Sequence, residues 1–134
     1  MNQENRQALT TAGISSVSVI TDSGPGNLLK PMIREILLLD TFVAGVTHLE
    51  DKSVLKTLKA GDELILQREI NAFDRFAILV LTAEKKKIGY VPEKDDIVFA
   101  RLMDAGKMLK ARISEIKPGE WYTAISISIF LVDL

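Results

Sequence analysis

Apolar residues recur along this chain mostly with the period of two that marks a half-buried strand. Ile125, Ile127, Ile129 and Leu131 fall on one face of a segment running from Trp121 to Val132, with Ser126 and Ser128 on the other. Leu64 and Leu66 alternate with Ile65 and Gln67. Phe76–Leu81 and Lys87–Val91 read as an antiparallel pair joined through Thr82-Ala83-Glu84-Lys85-Lys86, and Met108–Ile116 as a further strand closed by the Pro118-Gly119 turn. Ile36–His48 is strand-like as well, and Gly45 within it signals a bulge or a close backbone approach. Only two stretches read as helix. Val54–Lys59 can be capped by Ser53 and ended by Gly61, with Leu55 and Leu58 on one face. Pro92 opens the second, with Asp95 and Asp96 in a first turn that favours acids. Val98, Leu102 and Ala105 follow at helical spacing, flanked by Phe99 and Met103, and Gly106 ends it.

This pattern predicts a mainly β fold of about six strands and two short helices. Neither helix is long enough for a βαβ crossover. A small antiparallel barrel of OB-like or SH3-like type is the expected architecture, because closure removes the sheet's edges. Asp22-Ser23-Gly24-Pro25-Gly26-Asn27 is a strong breaker cluster. It separates residues 1–30, read as a flexible N-terminal extension with a candidate short strand at 14–20, from a barrel domain over residues 31–134.

Composition narrows the chemistry mainly by exclusion. At 134 residues and 47% hydrophobic the chain can bury a core of its own. The net charge of −1 supplies no long-range field toward nucleic acid or membrane, so any anion site must be a local patch. The absence of cysteine removes disulfides, thiol catalysis and thiolate metal sites. With His48 as the sole histidine, a zinc site is not expected either. There is no glycine-rich phosphate loop, no Gly-x-Ser-x-Gly and no defensible nucleophile–base pair. The expectation is a non-enzyme without cofactor or metal. A polar N-terminus and the lack of a run of ~18–20 apolar residues point to a cytoplasmic protein that makes no use of a membrane.

The informative stretch is Leu66–Tyr90 (LQREINAFDRFAILVLTAEKKKIGY), which gathers an aromatic, a carboxylate and cations at strand ends, where binding residues often sit. Phe73 either offers a stacking platform for bases or plugs one end of the barrel, with Asp74 making an Asx turn. Tyr90 either presents its ring or packs across strands. Arg68 can fork onto a phosphate or pair internally with Glu69 or Asp74. Lys85, Lys86, Lys87 and Lys94 form the one cationic cluster, read either as phosphate contacts or as a solvated hairpin. Trp121 and Tyr122 read as packing at a strand start, or else as added aromatics on a binding face.

The order of these pieces resembles the HIRAN family, a domain carried by some helicases and by small stand-alone bacterial proteins. The resemblance rests on Val43-Ala44-Gly45, Gly61-Asp62, Arg68-Glu69-Ile70-Asn71-Ala72-Phe73-Asp74, Ile88-Gly89-Tyr90 and Leu102-Met103-Asp104-Ala105-Gly106, in order over about residues 34–133. It implies a modified OB-like barrel that binds single-stranded DNA or its 3′ ends in DNA repair or processing. By position, Phe73 and Asp74 match the family's aromatic–aspartate pair that reads the end, and Tyr90 its aromatic after Ile-Gly. The chain departs from the pattern in three places. Its Ile70–Asp74 turn is one residue short and lacks a proline. Thr47 and His48 stand where helicase-linked members carry an arginine–aromatic pair. Glu93, with Lys94 beside it, falls near a family lysine. The alternative expectation is a protein-interaction adaptor on the same barrel.

Overall fold

The computed structural model describes residues 33–133. The extension over residues 1–30 and the candidate strand at 14–20 lie outside the described residues. Among the described residues there are six strands, β1 (Arg34–Phe42), β2 (Glu63–Arg68), β3 (Ile78–Thr82), β4 (Lys87–Tyr90), β5 (Met108–Lys117) and β6 (Ala124–Asp133), with one α-helix, α1 (Glu93–Asp104), between β4 and β5. They form one antiparallel sheet in the order β1-β6-β5-β2-β3-β4. The ladders slip by a residue between Leu37 and Leu39, Val80 and Leu81, and Ile113 and Glu115, and such bulges bend and curl a sheet.

The alternating positions read from the sequence make the core. Ile78, Val80, Ile88, Ile113, Ile125, Ile127 and Ile129 are at most 2% exposed. Each contributes roughly 1.5–3 kcal/mol by leaving water. Leu64 and Leu66 join them from β2, and Phe99 and Ala100 from α1. On the outer face, Lys110 and Arg112 of β5 each pair with Glu35 of β1 and Glu63 of β2. Hydrogen bonds from Lys110 and Arg112 hold the Glu35 carboxyl below its usual range.

Closure differs from the expected barrel. The sheet is not a cylinder laddered all the way round. Its edge strands β1 and β4 are joined through a single residue pair beyond the end of β1. The Ala44 N–H donates to the Tyr90 carbonyl (2.8 Å) and the Tyr90 N–H to the Ala44 carbonyl (2.9 Å). Two glycines make this meeting possible. A Cβ on Gly89 would lie 2.3 Å from the Ala44 carbonyl oxygen and 2.5 Å from Val43 Cγ1. Gly45 then takes φ +78°, turning the chain away into a 3-10 turn over Val46–His48.

The first expected helix is a 3-10 segment, Lys52–Thr57, capped by the Asp51 carboxylate on the Ser53 N–H (2.9 Å) and not by Ser53. The stripe that α1 buries is also rotated from the expected one. Asp96, Phe99 and Ala100 are inside, whereas Val98 is 63% exposed and Ala105 exposed. Trp121 does not pack: it is 88% exposed in the β5–β6 turn, beside Tyr122 at 58%.

Candidate functional site

The loop between β2 and β3, residues 69–77, is built around two side chains. Asn71 is the first. Its Oδ1 accepts the backbone N–H of Phe73 (2.9 Å) and of Asp74 (2.8 Å), an Asx turn that fixes both residues. Asp74 continues the pattern, with Oδ1 accepting the Phe76 N–H (2.8 Å). Phe73, projected from this turn, is 96% exposed, and Ile70 beside it 80%. A ring so exposed on a loop so bonded leaves the core-plug reading without a core contact.

Arg68 is the second organiser. Its guanidinium donates to the carbonyls of Ala77 (2.8 Å) and Arg75 (2.9 Å), and more distantly to that of Glu69 (3.4 Å). It also forks onto Asp104 at the end of α1, at 2.9 and 3.2 Å. That hydrogen bond holds the Asp104 carboxyl below its usual range. Arg68 therefore clips the two limbs of the loop to each other and to the helix. Its internal partner is Asp104 rather than Glu69 or Asp74, and little of the fork remains for a phosphate.

Tyr90 is connected to the loop through Glu69. The Tyr90 hydroxyl and Asn71 Nδ2 both donate to Glu69 Oε2, each at 2.8 Å. These bonds, Asn71 first, lower the Glu69 pKa. Lys87 donates to the Tyr90 hydroxyl (3.2 Å) and lies 4.6 Å from its ring centre. Phe73, Asp74, Tyr90 and Lys87 thus belong to one bonded unit with Asn71 and Glu69. Because Tyr90 also bridges to Ala44, the unit extends to the turn that carries Thr47 and His48, both exposed. His48, Asp51, Lys86 and Lys87 line a shallow hollow of about 430 Å³ next to it. Lys94 points elsewhere, 3.7 Å from Asp95 and 5.9 Å from the Phe42 ring centre.

Three participants carry no motif of their own. Arg75 and Arg101, both exposed, flank the Phe76 ring at 5.0 and 5.6 Å. They supply guanidinium groups beside the loop that Arg68 cannot. Asp96, on the inner face of α1, is buried, and burial followed by the Asp74 carboxyl pushes its pKa up. Its signal in the sequence is a carboxylate three and four residues ahead of Phe99 and Ala100, on the stripe the helix buries.

Among the described residues no cluster of histidine, aspartate and glutamate could hold a metal ion, and no helix is long and apolar enough to cross a membrane. The unit is instead a small surface platform: one exposed ring, a second aromatic with a lysine on its face, and mixed charge around them.

Comparison with known proteins places the fold. The HIRAN domain family model matches residues 36–132. The fold is similar to that of a crystallised protein from Lactobacillus plantarum, with a TM-score of 0.71 and 26% identity, over 76% of this chain and 99% of that one. It is also similar to the HIRAN domain of human HLTF, with a TM-score of 0.59 and 17% identity, over 73% of this chain and 78% of that one. No curated protein matches the sequence significantly.

Proposed function

The chain belongs to the HIRAN domain family, and from that premise we propose that it is a non-enzymatic domain that holds single-stranded DNA, strand ends included, on the 69–77 loop. The observation that carries this reading is Phe73, exposed over 96% of its surface on a turn whose backbone is pinned by Asn71. An apolar ring held in water by a rigid turn is a stacking surface prepared in advance, and bases stack on such rings whatever their sequence. Tyr90 offers a second ring, and Asp74 an acceptor for a terminal hydroxyl. Arg75, Arg101 and Lys87 are the cations within reach of the backbone, against the carboxylates of Glu69 and Asp74. With so mixed a balance, contacts to the bases contribute more than contacts to phosphates.

Fluorescence anisotropy with a labelled oligonucleotide tests this. Phe73→Ala is expected to weaken binding by 1–3 kcal/mol, about 5- to 150-fold, with its melting temperature unchanged. Three phosphate contacts give a log–log salt slope of about −2. A 3′-phosphate in place of the 3′-hydroxyl should bind less well if Asp74 receives the end. Equal binding by wild type and Phe73→Ala would rule out the platform.

A second reading, a protein-interaction adaptor, is favoured by one surface. The register aligns Leu37 with Phe130, and Val132 with Met108, across the outer face of β1, β6 and β5. Leu37 is 52% and Met108 60% exposed. A partner on that face would bind Leu37→Lys poorly and Phe73→Ala normally, and would survive nuclease treatment.

A further inference from the structure

We propose that Asp96 is a concealed member of the loop site: it shares one proton with Asp74 and thereby couples capture of single-stranded nucleic acid by the 69–77 loop to proton uptake. The inference rests on the binding reading above and specifies the protonation state in which that site works.

Asp96 is 1% exposed. Neither of its carboxyl oxygens is reached by an N–H or O–H donor among the described residues. Buried polar atoms are nearly always satisfied, so a wholly unserved carboxylate calls for a reason. The carboxyl that acts on it most strongly is that of Asp74. Two carboxylates present only lone pairs to each other, so the bond exists only when a proton lies between them. A carboxylic acid on Asp96 donating to a carboxylate on Asp74 satisfies both, without bringing a free charge into the core.

The surroundings point the same way. From the β2–β3 loop comes Asp74, from the helix itself Glu93, and from β2 Arg68. Burial is the largest influence, Asp74 and Glu93 add negative potential, and only Arg68 opposes them; together they push the Asp96 pKa up to about 7. Arg68 cannot do more, because its fork is engaged by Asp104 and by backbone carbonyls.

The position of the pair gives the proton a consequence. Asp74 follows Phe73 directly and is held by the same Asn71 oxygen. With the proton in place the platform carries one negative charge fewer where a phosphodiester must approach. A bound phosphodiester in turn favours the protonated pair, which is linkage in its reciprocal form. Glu69 stays ionised beside it, held so by Asn71 and Tyr90, and does not titrate in this range.

The test uses wild type, Asp96→Asn and Asp74→Asn, with a fluorescein-labelled oligothymidylate at constant ionic strength between pH 5.5 and 9, and thermal melts of the free proteins over the same range. Asn keeps the shape and the donor of the protonated acid. The Asp96 pKa is raised on folding from 3.8 to about 7, so its stabilising effect is full below ~4, declines as pH rises, and is gone above ~7. The wild-type melting temperature should therefore fall between pH 5.5 and 7 relative to that of Asp96→Asn. Wild-type affinity should fall by up to about tenfold per pH unit above ~7, whereas Asp96→Asn holds its low-pH affinity throughout. Asp74→Asn, which breaks the pair from the other side but leaves Asp96 buried, should make both profiles shallower without flattening them. A carbon-13 titration of the wild-type carboxyls should find one aspartate titrating far above its peers. Melts that run parallel in wild type and Asp96→Asn would overturn the shared proton. Affinities that run parallel while the melts diverge would overturn the coupling. Absence of binding at any pH would end the nucleic-acid reading and the coupling with it, while the melts and the carboxyl titration still decide whether the proton is shared.

Discussion

Gly89→Ala is expected to abolish cooperative folding. A methyl group there would sit 2.3 Å from the Ala44 carbonyl oxygen and 2.5 Å from Val43 Cγ1, inside the closest separations that atoms tolerate. The first clash is with backbone, which has no rotamer to change. Relief requires Val43 and Ala44 to withdraw, and that breaks both hydrogen bonds of the bridge and uncovers Ile88 and Val43 together. Overpacking of one methylene costs 1–3 kcal/mol where side chains can yield; against main chain the cost should exceed ~4 kcal/mol. For a domain of this size that is a large share of the total stability. Circular dichroism should record a broad, early transition or none. A sharp melt within two or three degrees of wild type would mean that β4 and the end of β1 are not in contact.

Arg68→Ala is expected to cost about 3 kcal/mol and to remove nucleic-acid binding together with stability. The guanidinium side chain is only 18% exposed, and it binds one carboxylate and the loop carbonyls at once. Truncation leaves those groups to find water, and hydrogen bonds to a charged group contribute roughly 1.5–3 kcal/mol. Arg68→Lys should recover only part, because an ammonium cannot reproduce the planar fork across Asp104 and two carbonyls. The readouts separate this effect from that of Phe73→Ala. The Arg68 variants should lower the melting temperature and lose amide protection through residues 69–77, whereas removal of the Phe73 ring affects binding alone.

Much of the fold was legible because β-sheet patterning is local. The alternation of Ile125, Ile127 and Ile129, and of Leu64 and Leu66, identifies the buried face wherever the strand pairs. Gly45 was legible as a backbone requirement, whereas only the three-dimensional arrangement reveals that Gly89 serves the same contact from the opposite side. The rotated stripe of α1 was not. Val98 and Ala105 are apolar but face water, and the helix instead turns Asp96 inward, where a carboxylate reads as surface by every local rule. The 69–77 loop was legible in its residue types and not in its connections. Nothing adjacent to Arg68 indicates that its partner is Asp104, thirty-six positions later, or that Glu69 is the acceptor joining Asn71 to Tyr90. Trp121 fell outside the rule for the same reason that Asp96 did: residue type sets an average burial, and tertiary geometry sets the particular one.

The ladder between β1 and β6 pairs Arg34 with Asp133 and Phe42 with Ser126. On a ribosome, then, the first strand of the described fold must wait for the last one to emerge. Until then Leu37 and its neighbours are a growing chain's unpaired edge, open to any other nascent strand. Polar residues interrupt that edge at Asp40 and Thr41, and Asp40 later receives the Ser128 hydroxyl. The protein's time of greatest hazard is thus set by the order of its strands rather than by their composition, and slowing synthesis ahead of β6 should raise aggregation of an otherwise stable chain.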